Sequence, residues 1–353
     1  MNLETTLSTI ESQDNQWRAR AKARLDQLTM PHWALGRLMD LAMDLAGITR
    51  SMQPPVKRRA VAVMAGDHGV ADEGVSCYPK EVTAQMVYNF IAGGAGINAL
   101  AQSSGTNVVV VDMGVATDLS ELAKAGKIIS KRVAPGTANM AAGPAMTLEQ
   151  ARRALEAGIE VAYELGPETD VFATGEMGIA NTTPSSAIVS VLCGKPVAEV
   201  TGRGTGIDDA QHIHKVSVIE RAISLNTPNA SDPLDVLAKV GGFEIGGLAG
   251  LILGAASQRK PVVIDGFIST AAALIAHAFE PKTAEYMIAA HNSVECGHIA
   301  ALAKLGKQPL LDLDFRLGEG TGAAVAMHLL DAAVSVLTRV ATFEEASVSQ
   351  ATS

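Results

Sequence analysis

From residue 60 onward the chain alternates short, unbroken apolar runs with amphipathic stretches of helical period. That alternation leaves few architectures open. The runs are AVAVMAG (60–66), NVVVVDMG (107–114), DVFATGEMG (170–178), PVVIDGF (261–267), YMIAAH (286–291) and PLLDLD (309–314), with a weaker one at PVAEVTG (196–202). Runs without polar alternation are buried on both faces, which predicts parallel rather than half-exposed antiparallel strands. Between them lie patterns such as TLEQARRALEAGIEVAYEL (147–165), whose apolar residues return every three or four positions. The expectation is an α/β fold: a Rossmann-like parallel sheet with helices on both faces. Each run tends to end in Gly, Asp, Glu, His or Asn. Ligands bind at the carboxyl ends of parallel strands, so GDHG, DMG, TGEMG, TGRGTG, DGF, AHNS and LGEGTG should crowd one rim.

The ends of the chain lack strands. Leu25, Leu28, Leu35, Leu38, Leu41 and Leu45 mark helical periodicity over residues 1–50, interrupted at Pro31, and residues 323–340 predict a further helix. FEEASVSQATS reads as a frayed tail. The expected division is a small helical domain from 1–50 and 323–353, and a large α/β domain over 51–322.

Composition narrows the function. With 48% apolar and 18% charged residues in 353, the chain is globular. A net charge of -9 speaks against non-specific nucleic-acid binding. Cys77, Cys193 and Cys296 are far apart and form no CxxC pair, which suits a reducing compartment. The N-terminus MNLETTLSTIESQDNQ has no secretory pattern. The greasy stretch IGGLAGLILGAA (245–256) is shorter than the roughly 20 residues a span needs. A cytoplasmic protein without a membrane span is expected.

Two glycine-rich loops carry a glutamate each. Gly318-Glu319-Gly320-Thr321-Gly322-Ala323 has the form of a dinucleotide fingerprint, but one helix and a tail follow where a βαβ unit with a later acidic residue is required. Gly202-Arg203-Gly204-Thr205-Gly206 lacks the third spacing, and no GxxxxGK[ST] is present. These glycines still let backbone N–H groups approach an anion at a helix start. Gly175-Glu176 through Asn181-Thr182-Thr183-Pro184 is a strand end followed by capping candidates and a first-turn proline. Together the loops suggest a site for phosphate and sugar. His212 and His214 point to different helix faces, and Asp67-His68 and Cys296-Gly297-His298 lack partners at ligand spacing, so no metal or cofactor is expected. Lys215 follows the 202–206 loop and can reach back to a phosphate.

GDHGV (66–70), EGVSCYPKEVTAQMV (73–87), TGEMGIANTTPSSA (174–187), TGRGTG (201–206), DGFISTAAAL (265–274), AHNSVECGH (290–298) and LGEGTGAA (317–324) occur in this order over nearly the whole chain. As a set they resemble the nicotinate-nucleotide–dimethylbenzimidazole phosphoribosyltransferase (CobT) family of cobalamin biosynthesis. The resemblance implies a homodimer. It also implies transfer of phosphoribose from nicotinate mononucleotide to 5,6-dimethylbenzimidazole, giving α-ribazole 5′-phosphate and nicotinate. It makes Glu319 the general base and Glu176 a second site carboxylate. Lys215 and Ser293 become phosphate contacts, Gln85 lines the benzimidazole pocket, and either Ser76 or Cys77 touches the base. Gly175, Asn181, Thr182, Gly202, Arg203, Gly204, Gly318 and Gly320 then belong to the substrate-binding loops.

Overall fold

The structure is a computed structural model and describes residues 2–204 and 206–349. Six strands form one sheet: β1 (Arg59–Gly66), β2 (Thr106–Gly114), β3 (Ile129–Ser130), β4 (Val171–Met177), β5 (Val262–Ile264) and β6 (Met287–Ala289). Their order is β3-β2-β1-β4-β5-β6, and every neighbouring pair is parallel. The chain winds outward from β1 to β2 and β3, then returns to lay β4 on the other side of β1. The crevice between β1 and β4 is therefore the topological switch point, where doubly wound sheets bind ligands.

Side-chain alternation along each strand divides the core in two. Ala62 and Met64 of β1, Val111 and Met113 of β2 and Phe172 of β4 face one apolar cluster. Val61, Val63 and Ala65, Val110, and Val171 and Ala173 face the other. The first cluster is closed by helices Leu148–Leu165, Phe243–Ser257 and Phe267–Phe279. The second is closed by Asn15–Leu25, Arg37–Thr49, Gly96–Ser104 and Thr321–Arg339. The wealth of small residues has a packing reason. A Cβ on Gly158 would lie 1.8 Å from the Gly247 carbonyl oxygen, and one on Gly250 would lie 1.9 Å from that of Leu155. Helices 148–165 and 243–257 thus meet backbone to backbone.

Helix Thr321–Arg339 joins both ends of the chain to the sheet. It packs on Arg37–Thr49, on Gly96–Ser104 and on β4 and β5. Arg24 Nε donates to the Leu337 carbonyl at 2.8 Å, and the Thr29 N–H to that of Ala341 at 3.0 Å. By length and apolar content this helix alone among the described residues passes for a bilayer span. Its apolar side is spent on the sheet.

Some expected elements differ. Residues 309–314 are not a strand. The N–H groups of Leu310 and Leu311 donate to Ala289 and Ala290 at 3.0 and 2.9 Å, prolonging the β6 edge by a single bridge between His291 and Leu311. Asp312, Leu313 and Asp314 are exposed, and Asp314 turns left-handed at φ +57°, which ends the extension. Residues 197–200 form one helical turn, opened by Pro196, rather than a weak strand. The expected runs at 261–267 and 286–291 shorten to three paired residues each, because their polar ends leave the sheet to form the rim. β3 is an added edge of two residues. The supposed frayed tail begins with a helical turn, Phe343–Ala346, held by a Thr342–Glu345 capping box and an Arg24–Glu345 ion pair at 2.9 Å. The rest of that tail, 350–353, lies outside the described residues, as does Thr205 of the TGRGTG loop.

Candidate active site

The rim at the switch point collects carboxylates. Glu176 sits at the end of β4, Asp265 follows β5, and Glu319 lies in the turn that opens helix Thr321–Arg339. The turn is built by three successive left-handed residues: Gly318 (φ +80°), Glu319 (φ +64°) and Gly320 (φ +96°). Its closeness to β4 dictates the glycines. A Cβ on Gly318 would lie 2.3 Å from Glu176 Oε1, and one on Gly175 would lie 2.4 Å from the Glu319 carbonyl oxygen. Glu319 itself holds a conformation that side chains other than glycine resist.

Asp265 holds the turn in place. Its Oδ2 accepts the Gly320 N–H at 3.1 Å and its Oδ1 that of Ala323 at 2.9 Å. It thus satisfies orphan donors at the start of a helix that has no side-chain cap of its own. Burial raises the pKa of Asp265, while His291, with Nε2 at 3.7 Å from Oδ1, and these N–H groups favour its charge.

The two glutamates differ in their bonding. Glu176 has both oxygens engaged. The Glu319 N–H donates to Oε1 at 3.3 Å, and Asn181 Nδ2 donates to Oε2. Burial pushes its pKa up to about 7, with Asp265 and Glu244 adding repulsion and the Asn181 bond opposing. Glu319 accepts the Ile97 N–H on Oε2 at 3.0 Å, at the start of helix Gly96–Ser104. Its Oε1 has no partner among the described residues and is not sealed from solvent. Burial raises this pKa as well, against the Ile97 N–H.

Asn181 was expected to cap helix Thr182–Cys193, but it makes no cap bond, because its amide is turned to Glu176. The next residue reaches a second group. Lys215 Nζ donates to Thr182 Oγ1 at 2.6 Å. Adjacent residues thus tie the carboxylates to a buried lysine whose pKa burial lowers to about 8, with Glu295 opposing. A Cβ on Gly204 would be 3.5 Å from Nζ, so the 202–204 turn lies directly on the ammonium. Ser293 lies on the loop after β6, two residues before Glu295, and its N–H donates to His298 Nδ1 at 2.9 Å. His298 Nε2 therefore carries the proton and donates to Thr270 Oγ1 at 3.0 Å, while that hydroxyl donates to the Gly266 carbonyl at 2.8 Å. Burial drops the His298 pKa to about 3, so the ring stays neutral and this chain keeps one direction.

Two of the sequence candidates stand apart from these contacts. Arg203 is exposed and turned to its own loop, bonding the Ile207 carbonyl at 3.0 Å and pairing with Asp209. Gln85 is exposed on helix Val82–Ala92, whose Thr83 accepts the Ile179 N–H at 3.1 Å just beyond β4. Three buried acids escaped the sequence reading as individuals. They are Asp265, Glu295 and Glu244, the last paired with His68 at 2.7 Å behind Glu176. Asp265 and Glu295 sit within the strand-end motifs DGF and AHNSVECGH. Glu244 lies in the first turn of a greasy helix, Phe243–Ser257, and gave no signal. A cleft of ≈ 480 Å³ opens elsewhere, along Met146, Thr147, Lys239 and Phe243, and holds neither Glu176 nor Glu319.

A doubly wound parallel sheet with a buried acid cluster and a lysine at its switch point defines an α/β enzyme with a strand-end site. A phosphoribosyltransferase family model matches residues 10–348, and the chain belongs to that family. It is similar to the nicotinate-nucleotide–dimethylbenzimidazole phosphoribosyltransferases of Syntrophotalea carbinolica, 66% identical over 99% of both chains, and of Desulfotalea psychrophila, 57% identical over 98% of both. The solved structure of the nicotinate-nucleotide–dimethylbenzimidazole phosphoribosyltransferase from Thermus thermophilus superposes with a TM-score of 0.90. That structure is 44% identical, and the match covers 96% of this chain and 100% of the other.

Proposed function

We propose that this phosphoribosyltransferase moves the 5-phosphoribosyl group of nicotinate mononucleotide to 5,6-dimethylbenzimidazole, releasing nicotinate and forming α-ribazole 5′-phosphate. The reading gives it the lower-ligand step of cobalamin biosynthesis. The observation that carries it is the pairing of two buried glutamates, only one of which has an oxygen to spare. The names of the relatives support the substrate pair.

The C1′–nitrogen bond of the mononucleotide breaks with its electron pair passing to the pyridinium, so nicotinate leaves without a general acid. One benzimidazole nitrogen attacks C1′ from the opposite face, which inverts the anomeric centre from β to α. The other nitrogen then loses its proton. Glu319 Oε1 accepts it, because that oxygen is unengaged and its raised pKa suits a general base. Glu176 is held by two donors and stands beside the ribose, where it steadies positive charge in the transition state. Lys215, Ser293 and the 202–204 turn hold the 5′-phosphate, and Gln85 with Ser76 or Cys77 borders the acceptor base.

The deciding experiment is release of nicotinate from nicotinate mononucleotide by the purified protein, with and without dimethylbenzimidazole. Release that depends on the acceptor and matches ribazole phosphate mole for mole is expected. Hydrolysis alone, or no release, would end this reading.

A further inference from the structure

Glu295 stands among the groups assigned above to the nucleotide phosphate. It lies between β6 and helix Gly297–Leu305 and is 8% exposed. Its carboxylate faces the Gly204 N–H, which favours the charged form against burial. A Cβ on Gly202 would lie 1.9 Å from its Oε2, so the acid rests flat against the 202–204 turn. Its own N–H donates to Ser293 Oγ at 3.4 Å. Lys215 attracts it, with weaker help from His212 on the same helix and from Arg316, while Cys296 follows it on its own loop. The side chain of Glu295 thus packs on Gly202 and faces Gly204 and Lys215, while its backbone is tied to Ser293. Its Oε2 is buried with no hydrogen-bond partner among the described residues. Burying an unsatisfied oxygen is costly, and an apolar side chain of similar size would fill the space without that cost.

We propose that Glu295 is an internal anion that competes for the phosphate seat, and that it sets the selectivity of the seat for a nucleotide over inorganic phosphate. The inference rests on the phosphate reading of Lys215 and the 202–204 turn. Two anions cannot share one N–H and one ammonium in a desolvated site, so an incoming phosphate has to turn the carboxylate out. The loop can yield. Val294 beside it is 51% exposed, and its N–H reaches the Phe315 carbonyl at a long 3.4 Å. A mononucleotide brings ribose and pyridine contacts that offset this displacement. Inorganic phosphate brings none.

The test compares wild type with Glu295→Gln and Glu295→Ala, using calorimetry with inorganic phosphate and its inhibition of turnover against nicotinate mononucleotide. Thermal melts establish which variants fold. Both variants should bind inorganic phosphate about tenfold more tightly, given the cost of juxtaposed like charges. They should lower the KM for the mononucleotide by a smaller factor. Folded variants with unchanged or weaker phosphate binding overturn the proposal. If neither variant folds, a crystal structure of wild type with inorganic phosphate decides. The carboxylate should have left the Gly204 N–H, and a phosphate bound beside Lys215 with Glu295 still on Gly204 overturns the inference. Lys215→Ala separates the two readings. If it leaves binding of the mononucleotide untouched, the phosphate seat itself is misplaced and this inference falls with it. If it weakens that binding while the Glu295 variants change nothing, only the competitor is lost.

Discussion

The backbone N–H of Glu319 donates to Oε1 of Glu176 at 3.3 Å, linking the end of β4 to a turn 143 residues further on. The bond separates the tasks of two acids that share a rim. It satisfies the second oxygen of Glu176, whose first is held by Asn181, and it fixes the turn from which Glu319 presents a free Oε1. A carboxylate with both oxygens engaged serves as a fixed charge. One with an oxygen to spare can accept a proton.

Glu319→Gln tests that division. The amide keeps the size of the side chain and can still accept the Ile97 N–H, but it cannot take the benzimidazole proton. Loss of a general base costs about 10²–10⁴ in rate. The variant should lose kcat in that range while nicotinate mononucleotide binds as before. In wild type the rate should fall as pH drops through the raised pKa of Glu319, and that acid limb should disappear in the variant. Turnover within a few-fold of wild type would move the base elsewhere, first to Glu176.

Glu176 should leave its mark on stability. Its pKa stands near 7 in the folded protein against an ordinary 4.5. A raised carboxylate pKa means the folded state holds the proton more tightly than the unfolded one. The resulting penalty is absent below about pH 4.5, grows between there and about pH 7, and is constant above. At one decade per unit it reaches on the order of 3 kcal/mol. Glu176→Gln removes the titration, although its amide meets a donor where an oxygen stood. Comparing the variant with wild type at pH 5 and again at pH 8 cancels that fixed cost. The variant should gain on wild type in denaturant midpoint as pH rises. A pH-independent difference would show that Glu176 titrates normally.

How much of this was legible beforehand depends on the distance over which each feature is fixed. β1 was readable because its side chains are buried on both faces throughout, and β2 because the same holds from Val110 to Gly114, which leaves continuous apolar runs. PLLDLD misled because Leu310 and Leu311 do bond β6, while Asp312 and Asp314, with no strand beyond them, belong to solvent. The glycines around Glu319 announced a close approach, and the partner was Glu176 Oε1. Asp265 was visible only as the end of a strand. Its role needs Gly320 and Ala323, more than fifty residues away. Asn181 looked like a cap because local chemistry favours one. Its Nδ2 instead donates to the buried Glu176 carboxylate, a charge-assisted bond that turns the amide away from the helix, so its oxygen makes no cap bond.

Chelation should leave turnover unchanged. The leaving group carries its own positive charge, and among the described residues no three His, Cys, Asp or Glu side chains are arranged to hold one metal ion. Assay with excess EDTA checks this. A large loss restored by Mg²⁺ or Zn²⁺ would require a different departure step.

Assembly is open to a direct measurement. Ile213 and Leu225 of helix Asp209–Asn226, with Ile299 and Val294 near the phosphate loops, expose more than half of their surface. We propose that these exposed apolar side chains serve the homodimer that the family resemblance implies. Light scattering at micromolar concentration should give twice the 36.6 kDa of one chain. A species of single-chain mass would place the complete site within one chain.

Lys215 combines geometry with pH. It is 1% exposed, hydrogen-bonded to Thr182 at 2.6 Å, and its pKa is lowered to about 8 because burial penalises the ammonium. A phosphate in its reach is contacted in ground and transition states alike, so the interaction is uniform binding. Losing it raises KM more than it lowers kcat. Lys215→Ala should therefore raise the KM for nicotinate mononucleotide at least tenfold, roughly the 1.5–3 kcal/mol of a charge-assisted bond, with a smaller change in kcat. Wild type should show the same loss by titration. A lowered lysine pKa means that the charge is present below about pH 8 and disappears above it, so KM should climb as pH rises through that value. Bound phosphate favours the ammonium and shifts the midpoint upward in the complex, so the loss should appear as a fall in kcat/KM at a lower pH than any fall in kcat. In Lys215→Ala the alkaline rise should be absent. Lys215→Arg keeps a charge that does not titrate there, and should flatten the profile even if the larger head group weakens binding. A rise that persists in both variants would assign it to another group and remove Lys215 from the phosphate seat.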